Sequence, residues 1–403
     1  MATQEGAGAV AIAEVPVGTH LADSRVTTGD GTQGAAWERA YDLLVAYARE
    51  HGAGMDGEAA RAVSGAGHGT LIVATPRSLS VPRPLRTEFY SLVDAAQGAL
   101  CRTVLGVRLD DLVEVAHRCS VVRDELIARS NLREFRLASA LESLMADPLA
   151  TAARPLFSLV LDGLQNDRPA AEVEQAARET LPAHVELLYR TAYEARAYYG
   201  VVARLRPTTF YATFSPDLAS VRAVASERIE VGMQTSSPTL RMPEAVFATA
   251  DGRVFAMKTE AAHELDFYGF KNKRRRDNSA GGVTSDLVSH RVLLLWKLPD
   301  VDAVGFVADR EKMRLTPTDL TCEVLMATDM ATPAYVSMFV ERINAVRSRR
   351  AVQVIAPEEG SAFPQGMLDD TTVAPLVVRR PGTDANGDSL DDVLDAIAGT
   401  LSD

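Results

Sequence analysis

Lysine is nearly missing from this chain. Of 42 lysines and arginines only five are lysine, Lys258, Lys271, Lys273, Lys297 and Lys312, and the first 257 residues contain none. Cysteine is scarcer still. Cys101, Cys119 and Cys322 are the only three, and none belongs to a CxxC pair. That excludes a zinc ribbon and a disulfide framework, and it suits a reducing cytoplasm. Long apolar runs are also absent. The longest, near 156–161 and 292–296, fall well short of the roughly eighteen residues that a membrane-spanning helix needs. Residues 1–18 hold no Lys or Arg, so the positive opening of a secretory signal is lacking. The sequence therefore reads as soluble and cytoplasmic.

Excess positive charge is lacking too. The net charge is −12 and the pI about 5.2, so any grip on nucleic acid must come from a local patch. Several chemical signatures do not occur. There is no GxxxxGK[ST], no GxSxG and no HExxH, which removes the P-loop, the nucleophile elbow and the zincin helix. Gly29-Asp30-Gly31-Thr32-Gln33-Gly34 matches GxGxxG. The residues before it make a poor buried strand and no βαβ unit follows, so it reads as a linker rather than a dinucleotide site. The seven histidines show no metal-ligand spacing. His117 and Cys119 stand two apart on a predicted helix and point in different directions.

What is present is an ordinary globular mixture, 47% apolar and 24% charged over 403 residues, enough for two domains with sizeable cores. Arginine dominance and abundant alanine point to a GC-rich bacterial genome. The expected fold class is α+β or α/β, an N-terminal helical domain followed by a mixed β-sheet domain with a late β-α-β unit. Residues 1–35 read as a flexible arm with strand character near 10–15, 36–205 as the helical domain and 206–380 as the mixed-sheet domain. Residues 381–403 read as an acidic linker and a short amphipathic helix.

The periodicity predicts helices over Trp37–Glu50, near 85–104, near 109–126, over Arg133–Met145 and over 151–164. A long helix starts at Pro169 and runs towards Leu205, kinked or divided at Pro182. Tyr189, Tyr193, Tyr198 and Tyr199 on it are expected in or beside the core. Strands are predicted at 70–75, 208–214, 228–233, 290–298, 303–307, 320–326 and 351–356. A hairpin around Asp251-Gly252 joins residues 245–258, and a helix is predicted at 333–347.

The most distinctive segment is Phe267–Gly282. Lys271, Lys273, Arg274, Arg275 and Arg276 put five cations within six residues. Phe267, Tyr268 and Phe270 precede them and a glycine pair follows. Clustered cations bind phosphates and release counterions, and aromatics such as Tyr268 stack on unpaired bases. In an acidic protein such a patch stands out, and nucleic-acid or other polyanion binding is the leading expectation.

Cleavage of the bound strand would need a magnesium ion held by carboxylates, with a lysine to steady the attacking water, on adjoining strands. Two incomplete versions occur. In one, Asp300, Asp302 and Glu323 are the metal ligands and Lys258 or Lys297 is the lysine. Leu325 stands where that pattern wants the lysine. In the other, Lys258 works with Glu244 or Asp251 and with Glu264, in the stretch that also carries His263 and Asp266. The competing class is a non-enzymatic interaction or assembly protein. It rests on the apolar faces of the helical block, with Tyr189, Tyr193, Tyr198 and Tyr199 as an alternative interface; separately, the C-terminal stripe Leu390, Val393, Leu394, Ile397 and Leu401 among unbalanced aspartates must dock on its own chain or on a protein partner.

Overall fold

A computed structural model describes residues 13–14, 31–52, 72–75, 78–216, 220–232, 242–261, 291–308, 316–325, 348–355 and 390–401. The basic segment, the cluster His263, Glu264 and Asp266, and the helix expected at 333–347 lie outside the described residues. The contacts divide the chain into two compact units. One comprises 23–116 and 143–189, the other 1–22, 117–142 and 190–403.

The first unit is helical. Its α1 (Gly31–Glu50) buries Trp37, Tyr41, Leu44 and Ala48 on one stripe and packs on α2 (Arg86–Leu105). Burying each large side chain contributes roughly 1.5–3 kcal/mol. The two aromatic rings keep their polar tips satisfied. Trp37 Nε1 donates to the Ala170 carbonyl at 3.3 Å and the Tyr41 hydroxyl to the Arg168 carbonyl at 3.1 Å. A β-ribbon of β2 (Val73–Thr75) and β3 (Ser78–Ser80) precedes α2, and α3 (Val107–Arg129) follows it.

The helix expected over 133–145 begins late. Glu134–Arg136 is strand β4, and α4 is confined to Ser139–Ala146. Tertiary hydrogen bonds override the local pattern here. The Asn131 side chain accepts from Phe210 N (2.7 Å) and donates to the Ser226 carbonyl (2.8 Å), which draws the following residues into parallel pairing with β7 (Arg228–Glu230). The helix expected over 151–164 is two, α5 (Pro148–Ala153) and α6 (Leu156–Gln165), divided at Pro155. Asp147 caps α5 by accepting from Ala150 N at 2.9 Å. The long helix α7 (Ala170–Arg204) runs through Pro182 as one element. Tyr189, Tyr193, Tyr198 and Tyr199 are buried.

The second unit is built on an eight-stranded sheet ordered β1-β12-β11-β10-β9-β8-β5-β6. The strands are β1 (Ala13–Glu14), β5 (Pro207–Phe214), β6 (Arg222–Ala225), β8 (Ala245–Thr249), β9 (Val254–Ala261), β10 (Arg291–Leu298), β11 (Leu320–Leu325) and β12 (Ala351–Ile355). Pairing is antiparallel from β11 to β6 and parallel along β11, β12 and β1. Helices first and a mostly antiparallel sheet afterwards make the chain α+β. The parallel β11–β12 pair is the one expected of the late crossover.

Both sheet faces are buried at the centre, so β10 reads as an unbroken apolar run, Val292 to Trp296. On one face Phe210, Phe247 and Phe255 stand in register on adjacent strands, with ring centroids 5.5–5.6 Å apart. The other face packs Val246, Ala256, Leu294 and Trp296 against Val304 and Val307. Residues 303–307, expected as a strand, are instead a 3-10 turn (Asp302–Val304) and one helical turn (Gly305–Ala308). Asp300 Oδ1 accepts from Ala303 N at 2.9 Å and starts the turn.

Candidate polyanion interface at one end of the sheet

The register sorts the sheet's connections by end. Ala261 pairs with Arg291, Leu325 with Ile355, and Ile355 with Glu14. The chain therefore departs from β1, β9, β11 and β12, and enters β10, at the same end. The segment between Ala261 and Arg291 carries Tyr268, Lys271, Lys273, Arg274, Arg275 and Arg276. Those six residues lie outside the described structure, but their two points of attachment are neighbouring, paired strand ends. The carboxyl ends of β11, β12 and β1 gather at this end too.

Two charged groups are built into this end. Lys258 is 7% exposed, sits opposite Leu294 and donates from Nζ to the Met242 carbonyl at 2.9 Å. Glu244 stands just before β8. Its Oε1 accepts from Gly232 N at 2.9 Å, and its Oε2 accepts from Thr259 N at 3.1 Å. The Thr259 hydroxyl donates to both oxygens at 2.9 Å. Burial pushes the Glu244 carboxyl above its ordinary range, while these donors and the nearby Lys258 charge pull the other way. Glu244 thus ties three backbone stretches together at the root of the basic segment.

The carboxylates expected to hold magnesium are not brought together. Glu323 is buried and pairs opposite Val292, at the same sheet end as Lys258. Asp300 and Asp302 are exposed and follow the far end of β10. About 20 Å of strand separates the two positions at some 3.3 Å per residue. Lys297 is also at the far end, exposed and opposite Phe255. Its backbone N–H is held by Asp319 Oδ2 at 2.6 Å, and Asp319 in turn pairs with Arg349 at 3.0 Å. Asp251 is a turn residue, bonded to Thr249 and Arg253, and the Arg253 hydrogen bond holds its carboxyl well below the usual range. Among the described residues no three His, Cys, Asp or Glu side chains are grouped to hold a metal ion. Among the described residues the centre of Asp300, Asp302 and Glu323 is not assembled, and Glu264 of the other version lies outside them.

Residue spacing did not point to two features. One is a cleft of ≈ 610 Å³ beside β4, lined by Arg123, Arg133, Arg136, Glu134, Glu142 and Glu230. Its cations are matched by carboxylates: Arg123 by Glu142 at 3.2 Å, Arg136 by Glu134 at 2.5 Å and Arg133 by Glu227 at 2.8 Å. The other is the seat of the C-terminal helix α8 (Leu390–Thr400), whose stripe Leu390, Val393, Leu394, Ile397 and Leu401 is buried within its own chain. Of the two seats expected for the stripe, its own chain is the one it occupies in the structure. Among the described residues no helix is long and apolar enough to cross a membrane. No family model, curated protein or solved structure matches the chain.

Proposed function

We propose that the protein binds nucleic acid or a similar polyanion through the basic segment 267–282. The observation that carries the reading is the pairing of Ala261 with Arg291. Five cations in six residues are inserted between two adjacent central strands, at the end where the parallel strands finish. The acidic remainder of the chain, net −12 overall, repels phosphate and confines contact to the segment. Electrostatics of this type is largely sequence-independent and strongly salt-dependent, and Tyr268 adds a stacking platform for unpaired bases. Cleavage forms no part of the proposal: Glu323 stands at the opposite sheet end from Asp300 and Asp302, and Glu264 of the other version lies outside the described residues.

Titrating a labelled single-stranded oligonucleotide into the full chain at two salt concentrations, with and without magnesium, tests this. The expected result is binding that weakens steeply with salt, with the strand left intact in both conditions. Salt-insensitive binding, or none at low salt, would contradict it.

A further inference from the structure

We propose that the surface of α7 around Gly200 is a helix-binding groove, filled here by the chain's own C-terminal helix and able to take the same helix from a second copy. Shape is the first argument. A Cβ at position 200 would lie 2.5 Å from Leu394 Cδ1, closer than two carbons can approach. Glycine at this point of a helix opens a socket, and Leu394 fills it.

Charge is the second argument. Every charged residue of α8 is an aspartate: Asp391, Asp392 and Asp395. The groove answers with arginines. Arg204 reaches Asp391 at 2.5 Å and Asp395 at 3.3 Å, and Arg196 lies 3.9 Å from Asp391. At the other end Arg253 Nη1 donates to the Leu401 carbonyl at 2.6 Å, a cation on a helix C-terminus. Socket and arginines together set the position and direction of the helix, as in helix-in-groove recognition.

Separability is the third argument. A free helix of eleven residues is marginal in water, so α8 orders only when docked. The burial of its five large apolar side chains is opposed by the ordering of its backbone, and the two are of similar size. Residues 356–389 join it to β12. Fully extended, that stretch spans about 110 Å, so the covalent link allows docking on another copy. Docking in cis prevails at low concentration because the tether raises the local concentration of the helix.

Complementation between two full-length variants tests the idea. Leu394→Asp spoils the helix and leaves the groove open. Gly200→Val blocks the groove and leaves the helix intact. Mixed at tens of micromolar, the two should form a heterodimer by sedimentation that neither forms alone, with the Gly200→Val helix seated in the Leu394→Asp groove. A labelled peptide of residues 386–403 should bind the Leu394→Asp chain at least tenfold more tightly than wild type. It should not bind once Gly200→Val is added. If Leu394→Asp does not fold, Asp391→Lys with Asp395→Lys serves as the open-groove chain. Monomers alone from folded variants would overturn the proposal. Global unfolding of all the variants would do the same, since the helix would then be an inseparable part of the core.

Discussion

Glu244 shows how much one side chain holds. Its carboxylate receives the N–H groups of Gly232 and Thr259 and the Thr259 hydroxyl. Glu244→Ala leaves these donors without an acceptor and should cost about 1–3 kcal/mol in urea unfolding. The pH dependence has a definite sign. The folded carboxyl binds its proton more tightly than the unfolded one, because burial raises it above the ordinary 4.5. The folded state therefore carries more bound proton between those two values, and stability falls as pH rises through that window. Glu244→Gln cannot titrate, so its stability relative to wild type should improve across the same window; a constant difference would exclude this half-buried carboxyl as the cause. Asn131 does the same beside β5, and Asn131→Ala should cost a similar 1–3 kcal/mol by breaking its bonds to Phe210 and Ser226. Sequence alone pointed to Glu244 only as a metal ligand. Its true neighbours follow from the β8–β9 register, which sets Ala245 against Met257. Asp300 and Glu323 looked close because their strands adjoin. The connection from Leu298 to Leu320 is no tight hairpin, so local residues did not reveal which ends meet.

Among the elements, those with strong local signals were legible. Asp251-Gly252 announced the β8–β9 hairpin, and Gly252 has φ +85°, a conformation that a Cβ disfavours. Gly252→Ala should destabilise by about 1–2 kcal/mol in thermal unfolding, with no change in the strands' register. Elements decided by distant partners were not legible. β4 carries a helical pattern but is drawn out by Asn131 and β7, and residues 303–307 have strand-like composition but coil into a turn begun by Asp300. The C-terminal stripe was legible as a helix, while its seat was not, since Gly200 and Arg204 are remote in sequence. Leu394→Ala should speed amide exchange throughout Leu390–Thr400 and leave the exchange of β9 and β10 slow. Equal acceleration in both would mean that the helix and the sheet open together.

At the scale of the whole molecule, composition foretold an acidic protein and periodicity an α+β or α/β chain with helices first; the structure is α+β in that order. The contact units cut the chain differently from a simple division near residue 205, because 117–142 group with the sheet. That assignment depends on long-range packing that no local pattern encodes. What unites charge and topology is the placement of the chain's densest cations between two paired central strands, in a background of net −12. The most direct measurement replaces Lys271, Lys273, Arg274, Arg275 and Arg276 with Ser and follows oligonucleotide affinity across salt concentrations. Each lost phosphate contact should lower the slope of log K against log salt by about 0.7 for a single strand. Weak, nearly salt-independent binding and an unchanged unfolding midpoint are the expected result. Affinity and slope equal to those of the wild type would contradict it.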